Sequence, residues 1–158
     1  MTTHTYATHL TWSGSTAAGY RTYPREHRAG GGAHGAAGSG AAQVTLSAAP
    51  EFRGDPALLN PEQLLVMAAS SCQLLSFLGA AARAGVDVVG YDDDAHGVMP
   101  LDDAPARLTR IVLTPVVRVS AGTDHDVVRA LVEQAHAACY VAHSLTADVH
   151  VAPTVVDA

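Results

Sequence analysis

Two cysteines are the residues whose types and surroundings could do chemistry. Cys72 follows Ser70 and Ser71 and precedes Gln73, so a thiol and three polar groups interrupt an otherwise apolar segment. Cys139 lies in a second apolar segment. A lone cysteine is most often a small buried hydrophobe. In a reducing compartment, two cysteines more often serve as buried thiols, metal ligands or redox groups than as a structural disulfide.

A metal site is one alternative for these thiols. His136, Cys139 and His143 are spaced by three and four residues, which would place them on one helix face. No fourth ligand is evident near them in the sequence. The acidic run 92–94, followed by His96, is more typical of a solvated turn, because consecutive residues do not converge on one ion. We therefore expect no metal and keep the zinc site as an alternative.

Length and charge limit the partners. The chain has 158 residues, which predicts a single domain over residues 1–158. The net charge is −6 and the nine basic residues are arginines scattered along the chain, so no nucleic-acid or anionic-membrane partner is expected.

The N-terminal segment has neither the basic region nor the apolar core of a secretion signal, which predicts a cytoplasmic protein. Residues 64–84 could span a bilayer, but their polar groups favour a buried core helix.

The first half of the chain predicts three strands and a helix. THTYATHLTW (3–12) and GYRTYP (19–24) are typical of hairpin strands, and QVTLSA (43–48) of a third. AGGGAHGAAGSGAA (29–42) predicts a mobile surface loop. Asn60 as N-cap, Pro61 at the first helical position and Gln63 at the third predict a capping box that starts a helix ending at Gly85.

The second half predicts two strands, a helix and a last strand. Residues 86–99 and 106–120 are typical of strands, with Pro115 indicating an edge or a bulge. Asp124 is expected to cap a helix reaching residue 145, and residues 147–156 close the chain as a strand. The order β-β-β-α-β-β-α-β predicts an α+β fold with both cysteines on helices.

Three segments carry a resemblance to a known family. NPEQLL, then SSC ten residues after the glutamate, and later AHAACYVAHSL resemble the OsmC/Ohr family of organic hydroperoxide reductases. The resemblance covers nearly the whole chain. It implies an OsmC-like fold, with two central helices packed on sheets in an intertwined homodimer whose active sites lie at the interface.

The resemblance also implies a thiol peroxidase in oxidative-stress defence. Cys72 matches the peroxidatic cysteine and Cys139 the resolving cysteine, so an organic hydroperoxide would yield an alcohol, a Cys72 sulfenic acid and then a disulfide. An external dithiol, similar to a lipoylated protein, would reduce that disulfide, and no metal or organic cofactor is needed. The alternative is a non-peroxidase member of the fold, a stress or small-ligand-binding protein with buried thiols.

An acidic residue and an arginine complete the implied site. Glu62 matches the family residue that orients the activating arginine, although a carboxylate in the first turn of a helix also stabilises the helix dipole by about 0.3–1 kcal/mol. The Ohr branch carries its arginine in a Gly-Gly-Arg turn, where this chain has SGSTAAGY. FRGDP offers Arg53 in the place typical of the OsmC branch, with Arg25 as the second candidate.

The spacing of Glu62 and Cys72 bears on assembly. Ten residues of helix span about 15 Å, so Glu62 cannot touch the thiol along its own helix. We therefore expect composite sites in the homodimer, pairing Cys72 and Cys139 of one subunit with Glu62 and Arg53 of the other.

Overall fold

A computed structural model of the chain describes residues 3–17, 19–32, 42–102 and 104–158. The chain divides into two compact units, Met1–Leu64 and Leu65–Ala158. The single-domain interpretation of the sequence stays a prediction.

The first unit contains a three-stranded antiparallel sheet. Its strands are β1 (Thr8–Thr11), β2 (His27–Gly31) and β3 (Gln43–Leu46), in that order across the sheet. The second strand was expected at 19–24, which is wrong. Those residues form turns, because Gly19 has a φ of 89° and its carbonyl accepts from the Thr22 N–H at 3.2 Å.

The predicted loop at 29–42 is also corrected in part. Residues 29–31 belong to β2, where Ala29 pairs with both Leu10 and Val44. Backbone pairing with strands on both sides makes this segment a strand, although its side chains are not typical of one. Residues 33–41 lie outside the described residues. A short 3₁₀ helix, Pro50–Phe52, follows β3.

Helix α1 (Pro61–Ala84) begins with the predicted capping box. The Gln63 N–H donates to Asn60 Oδ1 at 2.8 Å, and the Asn60 N–H donates to Gln63 Oε1 at 3.0 Å. These bonds satisfy two N–H groups that a helix start leaves free. The helix ends at Gly85, whose φ of 70° suits glycine.

Among the described residues, the second unit continues after α1 with six strands and two helices: β4 (Val88–Asp93), β5 (His96–Val98), β6 (Arg110–Leu113), β7 (Pro115–Val119), α2 (His125–Ala137), α3 (Tyr140–His143), β8 (Asp148–Val151) and β9 (Thr154–Asp157). The strands form two three-stranded sheets, of order β4-β7-β9 and β5-β6-β8. Pairs β6/β8 and β7/β9 are parallel, and β4/β7 and β5/β6 are antiparallel. The α+β order is confirmed, with each of the last three predicted strands broken into two.

Thr114 shows why one predicted strand is two. Its N–H donates to Asp93 Oδ1 at 2.7 Å and its hydroxyl donates to the Asp94 carbonyl at 2.6 Å, so side-chain bonds interrupt the strand between β6 and β7. Pro115 is therefore the first residue of β7, a strand position that proline tolerates. Since β7 is central in its sheet, the predicted edge is wrong.

One face of α1 supplies both cores of the second unit. Val66 and Ala69 pack with Ile111 and Leu113, whereas Phe77 and Ala81 pack in a cluster with β7, α2 and β9. Although α1 is long and apolar enough to cross a membrane, the buried residues of this face pack it into both cores. Its other face is exposed within one chain. Leu75 has 67% of its surface exposed, and Met67 has 51%.

Candidate active site

The polar groups beside Cys72 are largely structural. The Ser70 hydroxyl donates to Asp93 Oδ2 at 2.5 Å, tying α1 to β4. Gln73 is fully buried, and its Nε2 donates to the Val132 carbonyl of α2 at 3.1 Å. These bonds pair the Ser70 hydroxyl and the Gln73 amide nitrogen, whereas Gln73 Oε1 is buried without a hydrogen-bond partner. Cys72 itself is half-buried in the fourth turn of α1.

The surroundings of Cys72 favour a thiolate. Burial is the largest single influence and by itself raises the pKa of the Cys72 thiol. Four hydrogen bonds oppose it, from the backbone of Val141, the Cys139 side chain, the backbone of Tyr140 and the Ser76 side chain. Together they outweigh burial, so the pKa of Cys72 lies below its ordinary value. Only the thiolate is a strong nucleophile, so Cys72 is suited to attack.

Cys139 has the opposite character. Only 1% of its surface is exposed, and burial raises the pKa of its thiol. A backbone hydrogen bond with Ala142 is the next largest influence and lowers the pKa of Cys139, whereas the hydrogen bond with Cys72 and the negative charge there raise it. The opposite shifts mean that the Cys72 thiol ionises at a lower pH than the Cys139 thiol.

Cys139 lies at a break between two helices. Helix α2 ends at Ala137, and Cys139 is the N-cap of α3. The prediction that both cysteines lie on helices is therefore wrong for Cys139. The break leaves the first backbone N–H groups of α3 free of helical partners, and those of Tyr140 and Val141 bond to Cys72 instead.

The zinc alternative loses its geometric basis at the same break. His136 belongs to α2 and His143 to α3, so the two spacings do not share a helix face. The His143 ring is instead hydrogen-bonded to the Ala137 carbonyl, with its Nε2 2.7 Å away. Within residues 3–17, 19–32, 42–102 and 104–158, no group of three potential ligands could hold a metal ion.

The first unit contains a cavity of about 590 Å³ with a largely apolar wall. Five polar and charged residues interrupt that wall, including both Glu62 and Arg25. The lining residues are Trp12, Thr16, Tyr23, Arg25, His27, Ser47, Ala48, Phe52, Pro61 and Glu62. Such a wall can hold an apolar ligand with one polar group.

Glu62 and the two candidate arginines differ in how they relate to this cavity. Glu62 Oε2 is buried without a hydrogen-bond partner, so it can accept from a ligand or another side chain. Arg25 lies in the same lining, with its Nη1 donating to the Tyr23 carbonyl at 2.8 Å. Arg53 is exposed and caps the 3₁₀ helix with a φ of 65°, and it is not among the lining residues.

Sequence reasoning missed two kinds of residue. Ser76 lies four residues after Cys72, a spacing that brings side chains together on a helix and could have revealed it. Trp12 and Tyr23 line the cavity and contact each other from segments outside strands and helices, although the sequence predicts strands there.

The family model described as OsmC-like protein matches residues 54–154. The chain belongs to the OsmC-like protein family. No curated protein has a significantly similar sequence. The matched span contains Cys72, Cys139 and Glu62, whereas both Arg25 and Arg53 precede it.

Solved structures of OsmC-like proteins share this fold. An OsmC-like protein of unknown function from Vibrio cholerae is 24% identical, with a TM-score of 0.83 over 96% of this chain and 100% of that chain. An organic hydroperoxide resistance protein OsmC from Legionella pneumophila is 15% identical, with a TM-score of 0.66 over 98% of both chains. The organic hydroperoxide resistance protein OhrB of Bacillus subtilis is 15% identical, with a TM-score of 0.60 over 97% of this chain and 98% of that chain.

Proposed function

We propose that this OsmC-like protein is a cysteine peroxidase that reduces organic hydroperoxides to alcohols in oxidative-stress defence. The observation that carries the proposal is the asymmetry of the thiol pair. The pKa of Cys72 is lowered by hydrogen bonds that outweigh its burial, whereas burial raises the pKa of Cys139. A nucleophile and a protonated resolving thiol are the two roles that such a reaction requires.

The reaction begins at the Cys72 thiolate. Its sulfur attacks the terminal oxygen of the hydroperoxide, a sulfur–oxygen bond forms and the oxygen–oxygen bond breaks. The alkoxide leaves with the electron pair of that bond and takes up a proton to become the alcohol. Cys72 is oxidised by two electrons to the sulfenic acid, and the hydroperoxide is reduced by two.

Cys139 then completes the oxidation. Its sulfur attacks the sulfenic sulfur, a sulfur–sulfur bond forms, the sulfur–oxygen bond breaks, and water leaves. The side-chain hydrogen bond between the two cysteines supports this step, because it holds the thiols close together. An external dithiol or a lipoylated protein restores both thiols by exchange. The cycle uses no metal or organic cofactor.

We propose Arg25, rather than Arg53, as the activating arginine oriented by Glu62. Arg25 and Glu62 line one cavity, and the unpartnered Glu62 oxygen is a free acceptor for a guanidinium. A guanidinium about 4 Å from a thiolate stabilises it by roughly 4 kcal/mol at an effective dielectric constant of 20. Arg53 remains the alternative, and its exposed position supports it less.

The active unit in this proposal is a cytoplasmic homodimer with composite sites. Cys72 and Cys139 of one subunit work with Glu62 and Arg25 of the other. The exposed apolar face of α1, with Leu75 at 67% exposure, supports burial against a second copy.

Thiol titration tests the function. Stoichiometric cumene hydroperoxide should remove both thiols of the reduced protein and release one equivalent of alcohol, without covalent oligomers. Cys72→Ser should leave the peroxide unconsumed. Retention of both thiols after an excess of hydroperoxide would contradict the peroxidase and favour a protein whose thiols are merely buried.

Subunit mixing tests the composite site. A Cys72→Ser chain co-expressed with a chain carrying Glu62→Ala and Arg25→Ala should regain activity, because one site of each heterodimer is intact. Purified heterodimers as inactive as both parents, or a fully active monomer in sedimentation, would contradict the composite arrangement.

A further inference from the structure

Tyr20 and Tyr23 contact the Arg25 guanidinium and Trp12 packs against Tyr23, and we call these three residues the aromatic clamp. The Arg25 Cζ atom lies 4.1 Å from the ring centroid of Tyr23 and 4.9 Å from that of Tyr20. The two rings meet at 70° with their centroids 6.1 Å apart. A guanidinium over aromatic faces is attracted by their negative potential, so the clamp favours one place for the charge.

Trp12 braces the clamp from a second segment. Its indole N–H donates to the Pro24 carbonyl at 2.8 Å, and its ring meets Tyr23 edge-on with centroids 6.5 Å apart. A Cβ atom at Gly14 would lie 2.8 Å from Trp12 Cζ2, so only glycine leaves room for the indole. Trp12 thus holds the backbone at Pro24, immediately before Arg25, and packs against Tyr23, whose ring contacts the Arg25 side chain.

Backbone carbonyls fix the guanidinium in its own plane. Nη1 donates to the Tyr23 carbonyl at 2.8 Å and Nη2 to the Tyr20 carbonyl at 2.6 Å. These bonds use two of the five N–H donors of an arginine, so three can still reach a carboxylate or reacting oxygen. An unrestrained arginine side chain would lose considerable rotamer entropy on binding a partner. Because the Arg25 side chain is already held by these contacts, much of that entropy loss does not occur on binding.

We propose that Trp12 and Tyr23 are positioning residues that preorganise the Arg25 guanidinium for catalysis. The inference rests on the proposed function, in which Arg25 activates the thiolate. Neither aromatic residue touches reacting atoms in this proposal, and both act through Arg25. Their loss should therefore lower the rate and shift its pH profile in the manner of an arginine variant.

The main test replaces the ring beneath the guanidinium. Tyr23→Leu removes the cation–π contact and should lower kcat/KM roughly tenfold, mainly through kcat. The pH profile of Cys72 alkylation should move towards that of Arg25→Ala. Tyr23→Phe keeps the ring and should restore both. Tyr6→Leu is the matched control, because Tyr6 belongs to the same unit and is 90% exposed.

A double-mutant cycle separates positioning from general stability. In an Arg25→Ala background, Tyr23→Leu should cause no further loss, because its effect passes through the missing guanidinium. Circular dichroism and thermal unfolding check that each variant folds. Trp12→Phe keeps a ring but removes the bond to the Pro24 carbonyl, and it should cause a smaller loss in the same direction. If Tyr23→Leu does not fold, the result for Trp12→Phe tests the positioning role in its place.

The outcomes separate the positioning role of Trp12 and Tyr23 from the proposed function of Arg25. If Arg25→Ala is impaired but folded Tyr23→Leu and Trp12→Phe match the wild type, the positioning role is wrong and the proposed function stands. Equal losses from Tyr23→Leu with and without Arg25 would also overturn the positioning role. A fully active Arg25→Ala would overturn the arginine assignment of the proposed function, and the clamp with it.

Discussion

The thiol pair and the Arg25 cavity are positioned by different means. Cys72 lies within a 24-residue helix, and Cys139 at the junction of two others, so their hydrogen bonds come from elements with regular backbones. Arg25 instead lies between β1 and β2, where carbonyls and aromatic rings hold it one contact at a time. The comparison suggests that the thiols depend on the folding of the core, whereas the arginine depends on a few local contacts.

The largest effect that this comparison predicts is at the thiols. Cys72→Ser should abolish hydroperoxide reduction, because no other thiol is both activated and accessible. Cys139→Ser should allow one turnover and then stop at the Cys72 sulfenic acid, which dimedone labelling and mass spectrometry detect. A Cys139→Ser protein with full multi-turnover activity on a dithiol would contradict the resolving role, and the wild type assayed in parallel is the control.

The next effect separates the two arginines. Arg25→Ala should lower kcat/KM roughly a hundredfold, the usual scale for removing one preorganised charge-stabilising group. Arg53→Ala is the matched control and should stay within about twofold, because Arg53 is exposed outside the cavity lining. Steady-state assays of both variants decide between them. The reverse order of effects would restore Arg53 as the activating residue and would mean that activity does not depend on the contacts that hold Arg25.

The sequence predicted the regular elements well because their signals are local. The Asn60–Gln63 capping box and Gly85 bound α1 correctly, and Asp124 caps α2 by accepting from the Asp126 N–H. The second strand was misplaced because its partners on both sides, rather than its own side chains, make residues 27–31 a strand. Such pairing depends on distant residues and leaves little mark on a local pattern.

The candidate site divides in the same way. The resemblance assigned Cys72 and Cys139, which are both free thiols, and a hydrogen bond between their side chains lowers the pKa of Cys72 and raises that of Cys139. The helix break that exposes the N–H groups of Tyr140 and Val141 carried no proline or glycine signal, so the sequence predicted one continuous helix. The choice between the arginines depended on which of them shares a cavity with Glu62, and that is a property of folded turns.

A third prediction tests the dependence of the thiol region on the core. Gln73→Ala removes a fully buried side chain and its bond to the Val132 carbonyl, which should destabilise the fold by about 2 kcal/mol. Chemical denaturation measures the loss, and exposed Gln134→Ala on α2 is the control. An unchanged midpoint would mean that α1 and α2 do not depend on this bond.

The smallest effect is expected at Ser76, whose hydrogen bond helps to lower the pKa of Cys72. Ser76→Ala removes that donor, so the pKa of Cys72 should rise and less thiolate should exist at neutral pH. One neutral hydrogen bond is worth about 0.5–1.5 kcal/mol, so alkylation of Cys72 by iodoacetamide should slow about two- to tenfold at pH 7.

The pH dependence of Cys72 alkylation shows whether Ser76→Ala acts through the pKa of the thiol. Well above the pKa of Cys72 in both proteins the thiol is ionised in each, so the two alkylation rates should converge as the pH rises. Mass spectrometry of the Cys72 peptide follows the reaction, and Ser71→Ala is the matched control, since Ser71 is exposed beside the same thiol. A constant rate ratio across the whole pH range would mean that Ser76 acts on access to the thiol and not on its ionisation.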